Sequence, residues 1–271
     1  MSFDPIISGS LSFLVVLILM ALNVPIGISM LIVGFTGFAL ITGFEQALFV
    51  LGTAPFEAVS KYTLSVLPLF VLMGNLANRA NLSRNLYDAA YAVVGHYKGG
   101  LAMSTVGACA GFGMICGSSI ATAATMSQMA GPEMKRHGYS DALISGSVAS
   151  GGTLGIIIPP SVILIIYAYL TEQSIQQLFF AALIPGLIAV ILYMIAIRVY
   201  LLIYPDQGGH GEKMTTKDRI SALTKVFPIF LIFAIIMGGL YLGFFTATES
   251  AAVGVILVIL FIFLRGELTI E

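Results

Sequence analysis

The sequence predicts an all-α integral membrane protein: a polytopic helical bundle containing a re-entrant helical hairpin and a discontinuous helix. Three observations carry this. Of 271 residues, 58% are hydrophobic and only 9% charged, with a mean hydropathy of +1.01. A soluble domain is about one quarter charged, so this chain cannot cover a globule with polar side chains. Apolar runs close to the roughly 20 residues that span a bilayer recur along it, and basic residues gather in the segments between them. The 29 glycines and 10 prolines lie scattered through apolar runs, which excludes collagen-like and disordered chains. A formal net charge of −1 supplies no field for nucleic acid.

The first run, 5–22, follows Met1–Asp4, which has no basic residue, so it reads as a retained helix and not a cleaved signal peptide. Further helices are expected at 24–43, 62–78, 178–204, 226–244 and 250–264. Residues 81–98 read as an amphipathic surface helix, with Leu82, Leu86, Ala89, Ala90 and Val93 on one face and Arg84, Asn85 and Asp88 on the other. With the N-terminus outside and the runs alternating, eleven lysines and arginines fall on or near the cytoplasmic side and only Lys61 outside.

That bias imposes a condition on 101–133. Lys98 precedes this stretch and Lys135, Arg136 and His137 follow it, so both ends read as cytoplasmic. One continuous helix would be roughly 50 Å long and would carry a basic end across. A re-entrant hairpin turning at Gly117-Ser118-Ser119 fits better. The alternative is two thin transmembrane helices packed through Gly107-xxx-Gly111 and Gly113-xxx-Gly117. The next stretch, 139–170, must cross once, and its middle reads Gly151-Gly152-Thr153-Leu154-Gly155-Ile156-Ile157-Ile158-Pro159-Pro160-Ser161. Two prolines lack N–H groups and glycine weakens helix, so a discontinuous helix is expected in place of a simple proline kink. The polar segment 204–225 reads as a flexible cytoplasmic connection without functional signal.

Within the spans the only ionisable side chain is Arg198, close enough to a basic end to snorkel. No carboxylate or histidine lies at mid-depth, which argues against an enzyme and against a proton relay. What remains is neutral oxygen: Ser118, Ser119, Thr122, Ser147, Ser150, Thr153, Ser161 and the free carbonyls of broken helices. Such oxygens suit a hard monovalent cation, and half-helix N-termini favour an anionic substrate group. For any single hydroxyl the competing role is a back-bond to its own helix. Cys109 and Cys116 read as small packing residues, and Met103, Met114, Met126, Met129 and Met134 as gap-fillers.

Several ordered motifs then resemble one family. Gly117-Ser-Ser-Ile-Ala-Thr-Ala-Ala-Thr, Pro132-Glu-Met, Gly138-Tyr139, the Gly151 to Ser161 stretch and Tyr167-Ala look like the large membrane subunit of TRAP transporters, the DctM-like permeases. Asn23-Val-Pro25 and Thr246-Ala-Thr248-Glu249-Ser-Ala-Ala-Val-Gly254 also match, although the family usually has Pro where Ala247 stands. The resemblance implies an elevator-type, Na⁺-coupled importer of small carboxylates in the bacterial inner membrane. It would work with a periplasmic substrate-binding protein and a small four-helix membrane subunit.

By the same resemblance, 1–80 are scaffold-like helices and 81–100 a cytoplasmic surface segment. Residues 101–170 form the hairpin and broken helix of the first inverted repeat, and 171–271 lead into a second. The Na⁺ site would use Ser118 and Ser119 with carbonyls of Gly155, Ile158 and Pro160; Gly117, Ser119 and Ser161 would face the substrate. The chain reaches roughly three-fifths of a family member, with residue 271 expected on the cytoplasmic side. A C-terminal half is therefore an expected partner. The other reading is a non-transporting assembly or scaffold subunit.

Overall fold

The computed structural model describes residues 4–265. All regular structure among them is helical, apart from one isolated antiparallel bridge between Lys98 and His210. The chain divides after Lys61 into two compact units.

The first unit holds α1 (Pro5–Ala21), α2 (Ile26–Thr42) and α3 (Phe44–Ser60). The Asp4 carboxylate caps α1 by accepting from the Ile6 N–H at 3.0 Å, with Pro5 at the first helical position, where its missing N–H costs nothing. Gly43, at φ 109°, ends α2 and starts α3. The apolar runs predict no helix between 43 and 62, and α3 corrects that expectation. Glu45, Thr53, Pro55 and Glu57 interrupt the apolar run, so hydropathy missed a helix that the backbone nonetheless forms.

The second unit opens with a 3-10 turn at Tyr62–Ser65 and α4 (Val66–Arg79). Asn81, at φ 53°, turns the chain into α5 (Leu82–Val94). Then come α6 (Gly100–Cys116), α7 (Ser119–Arg136), α8 (Asp141–Ile157), α9 (Val162–Thr171), α10 (Ile175–Ile203), α11 (Thr216–Tyr241) and α12 (Ala247–Arg265). Helix α6 sits at the centre, buried over nearly its whole length against α4, α5, α7, α8 and α10. It therefore has no polar stripe, as expected of a helix enclosed on all sides. Helix α5 lies between α6 and α11, and α12 packs on α4 and α11.

Among the described residues, three helices are long and apolar enough to cross a membrane, α10, α11 and the Ala247–Leu264 part of α12. The pair α8 and α9 passes the same test together, bent by 44° at its break. Helices α1 (from Ile6), α2 and α6 are apolar but shorter.

Boundaries differ where a polar cap begins a helix before hydropathy rises. Helix α10 starts at Ile175, where the Ser174 hydroxyl accepts from Gln177 N–H, and α11 at Thr216, where Thr215 accepts from Asp218 N–H. Helix α5 stops at Val94 and not at 98. It buries Leu82, Leu86 and Ala89 as its pattern predicts, but leaves Val93 exposed.

The expected flexible connection 204–225 is the larger correction. Its second half is helix, and its first half is strapped across the open end of the hairpin. Gly99 N–H donates to the Gly209 carbonyl at 3.2 Å, Gly211 N–H to Gly95 at 3.1 Å, and Ser140 N–H to Gln207 at 3.0 Å. The Tyr139 hydroxyl donates to the same Gly209 carbonyl at 3.0 Å and accepts from Leu101 N–H at 3.2 Å. Glycine is required at 209, because a Cβ there would lie 1.9 Å from the His137 carbonyl oxygen. Arg198 joins this array by donating to the Lys98 carbonyl at 3.4 Å.

Candidate functional site

Helices α6 and α7 form an antiparallel pair. Their closed end is Gly117-Ser118, and near the open end Thr105 Oγ1 lies 3.6 Å from Met134 Sδ. Gly117 ends α6 at φ 62°, a left-handed conformation that glycine adopts without steric cost. Ser118 is extended and caps α7, its hydroxyl accepting from Ala121 N–H at 3.4 Å. The break between α8 and α9 repeats this arrangement. Ile158 ends α8, Pro159 and Pro160 follow with a cis bond between them, and extended Ser161 caps α9 by accepting from Leu164 N–H at 3.4 Å.

The two breaks touch. Val162 N–H, the first of α9, donates to the Gly117 carbonyl at 3.2 Å. A Cβ at Gly117 would lie 2.8 Å from the Pro160 oxygen, and one at Gly155 would lie 2.9 Å from the Ser118 oxygen and 2.7 Å from Thr122 Oγ1. At Gly113 it would meet the Gly155 Cα at 2.8 Å, and at Gly74 the Cys116 Cα at 2.9 Å. Backbones approach this closely only through small residues. The glycines of α6 thus serve its packing on α8 and α5, Gly111 lying against Leu86.

Four helix ends therefore meet, the C-termini of α6 and α8 and the N-termini of α7 and α9. Residues 159 and 160 are prolines, so the Gly155 and Ile156 carbonyls have no N–H four residues on to accept from. Among the described residues, no backbone hydrogen bond reaches the carbonyls of 155–160. At the N-terminal ends, Ala121 and Leu164 N–H are capped and Val162 N–H is paired, leaving Ser119, Ile120 and Ile163 N–H without intrahelical acceptors. The junction offers free acceptors and free donors within one small volume.

The structure brings Gly117, Ser118, Gly155, Pro160 and Ser161 together here. Ser119 is half-buried in the first turn of α7, its carbonyl 3.3 Å from where a Gly152 Cβ would stand. Ile158 is fully buried and directs its side chain to Gly186 of α10. The other hydroxyls are bonded to their own helices: Thr122 to Ser118 at 2.7 Å, Ser147 to Leu143 at 2.6 Å, Ser150 to Gly146 at 2.7 Å and Thr153 to Ser150 at 2.6 Å. Thr153 also lies 3.0 Å from the Tyr193 hydroxyl, a partner on α10 that sequence spacing did not single out. Cys109 and Cys116 are free and buried. No group of three His, Cys, Asp or Glu capable of holding a metal occurs among the described residues.

An all-α chain with several apolar helices, whose free backbone donors and acceptors gather at paired helix breaks, is a polytopic membrane protein in class. Residues 13–271 match the family described as the tripartite ATP-independent periplasmic transporter, DctM component, and the chain belongs to that family. It is 38% identical over 201 residues to the C4-dicarboxylate TRAP transporter large permease protein DctM of Pseudomonas aeruginosa, covering 74% of this chain and 47% of that one. It is 29% identical over 245 residues to the ectoine/5-hydroxyectoine large permease protein UehC of Ruegeria pomeroyi, covering 89% and 56%. With the sialic acid permease protein SiaT of Haemophilus influenzae the identity is 30% over 268 residues, covering 96% and 42%. The chain spans about half the length of the curated relatives it matches.

Proposed function

We propose that this chain supplies the first repeat of the large permease subunit of a Na⁺-coupled, binding-protein-dependent transporter. It imports a small organic carboxylate across the bacterial inner membrane by an elevator movement. The observation that carries this reading is the meeting of four helix ends at Gly117-Ser118 and Pro160-Ser161. Neutral oxygens at unwound helix ends suit Na⁺, and helix N-termini suit a carboxylate. Ser118 and Ser119, with carbonyls of Gly155, Ile158 and Pro160, hold the ion; Gly117, Ser119 and Ser161 face the substrate. The relatives are named for C4-dicarboxylates, ectoines and sialic acid, so family membership alone does not choose the acid.

In this reading a periplasmic binding protein delivers the substrate, a small four-helix subunit completes the membrane part, and the remaining portion of the large subunit supplies the second half of the site. The hairpin α6–α7 enters from the cytoplasmic face and turns within the membrane. Na⁺-dependent uptake into proteoliposomes tests this, using the complete transporter assembled with this chain. Replacing Ser118 and Ser119 together with alanine removes two oxygen ligands. The Na⁺ concentration for half-maximal uptake should rise about tenfold or more, which corresponds to about 1.4 kcal/mol. An unchanged Na⁺ dependence in that double variant removes the site. Uptake that never depends on Na⁺ removes the coupling.

A further inference from the structure

Away from the junction, at the open end of the hairpin, α5, the last turns of α7 and the 212–214 strap enclose a cavity of about 610 Å³. That is within the roughly 300–1,000 Å³ usual for small-molecule sites. Two adjacent side chains, Tyr87 and Asp88, stand on its α5 wall. Tyr87 is 7% exposed, and its hydroxyl makes no hydrogen bond. Asp88 is half-buried, with the charges of Arg84 on α5, Lys225 on α11 and Glu133 on α7 acting on its carboxylate. The neighbouring Tyr91 hydroxyl, by contrast, is fully engaged, accepting from Glu212 N–H at 2.8 Å and donating to the Glu212 carbonyl at 3.3 Å. Buried polar groups are nearly always paired, so the unpaired Tyr87 phenol, beside the half-buried Asp88 carboxylate, marks an absent partner.

We propose that this cavity binds a primary ammonium group. The α7 wall carries Glu133, whose carboxylate lies 3.2 Å from Arg136 and 3.6 Å from His137 Nδ1, and Gln128 also lines the cavity. The lining carries three carboxylates, Asp88, Glu133 and Glu212, against His137 and an Arg84 that lies exposed at the rim. A metal ion is the wrong occupant, because no three ligating side chains converge. A quaternary ammonium fits less well, since it has no N–H to offer the Asp88 carboxylate or the Tyr87 oxygen. An –NH₃⁺ group has three, matching the Asp88 carboxylate, the Tyr87 oxygen and the Gln128 carbonyl oxygen or Glu133. Arg84 then suits an anionic group on the same molecule. That chemistry occurs in a lipid phosphoethanolamine headgroup, and the ammonium alone in a free amine.

Calorimetric titration of the purified chain in detergent tests this with three probes: glycerophosphoethanolamine, ethanolamine and glycerophosphocholine. Binding of the first two and none of the third is expected. Affinity for glycerophosphoethanolamine at least about tenfold above that for ethanolamine identifies the headgroup source, because it adds the charge-assisted Arg84 contact; equal affinities identify the free amine. Tyr87→Phe, which keeps shape and removes only the oxygen, should weaken binding several-fold. Asp88→Asn should weaken it by an order of magnitude or more, with helicity by circular dichroism confirming that both variants fold. Glycerophosphocholine binding as well as glycerophosphoethanolamine overturns the proposal, as does unaltered affinity in both variants.

Discussion

Gly146 and Gly155 lie on the same helix, yet the space around them sets opposite expectations. Nothing stands within 4 Å of a Cβ added at 146, whereas at 155 it would press on Thr122 Oγ1 and the Ser118 carbonyl at 2.7 and 2.9 Å. Gly146→Ala should therefore stabilise the protein by about 0.5–1 kcal/mol through helix propensity alone. Gly155→Ala should destabilise it by about 1–3 kcal/mol, because the tip of α7 must move. Thermal unfolding of the two variants in the same detergent checks the pair, and equal shifts would deny the close approach. Asp88 gives a second prediction at this scale. Burial, the largest influence, raises its pKa; Glu133 on α7 acts in the same direction, and Arg84 on α5 and Lys225 on α11 oppose it. A carboxyl whose folded pKa is raised binds more protons folded than unfolded, so its contribution falls as pH climbs from below 3.8 through the folded value. Without added amine, Asp88→Asn should thus raise the melting temperature near neutral pH, and the gain should vanish in acid.

The strap at 205–214 and the helix breaks were unequally legible in the sequence, for a physical reason. A break is written locally: a residue that ends a helix, then a serine that starts the next, as in Gly117-Ser118 and Pro160-Ser161. The strap is held by backbone bonds to Gly95, Gly99 and Ser140, partners far away in sequence, and its glycines read equally well as looseness. The same limit hid the Gly113–Gly155 approach and the Thr153–Tyr193 pair, while α5 was legible because its burial follows a helical period. Tyr139 ties the strap to the hairpin, and burial pushes its phenol up to about 12, so it remains a donor throughout the working range. Tyr139→Phe removes the bond to Gly209 and leaves the buried Leu101 N–H without an acceptor, at a cost of about 1–3 kcal/mol. Amide hydrogen exchange at 209–211 should accelerate in this variant while exchange in α10 stays slow. Unchanged protection would mean that the strap is held by the backbone bonds alone.

Over the whole molecule, α3 decides how the chain alternates across the bilayer. The placement of eleven basic residues on the cytoplasmic side assumed two crossings before Lys61. A third crossing in α3 would move either the N-terminus or Arg79, Arg84 and Lys98 to the other face. The composition of α3 argues against crossing. It carries Glu45 near its start, Glu57 near its end and Pro55 between, and it is absent from the apolar helices, short or long, that suit a membrane. Its 17 residues match α1 and α2 in length, so length does not decide, but a carboxylate within the hydrocarbon thickness costs several kcal/mol and α3 carries two. Helix α3 is therefore expected to lie along the periplasmic interface, which preserves the charge bias. Cysteine labelling with an impermeant reagent can decide this, because Cys109 and Cys116 are buried and give a low background. Glu45→Cys and Lys61→Cys should both label from the periplasm. Lys135→Cys and Lys213→Cys should label only after the cytoplasmic face is opened. Opposite sides for 45 and 61 would make α3 a crossing. Opposite sides for Lys98→Cys and Lys135→Cys would make the hairpin a pair of full spans, leaving its closed end with the four helix termini at the membrane surface instead of within it.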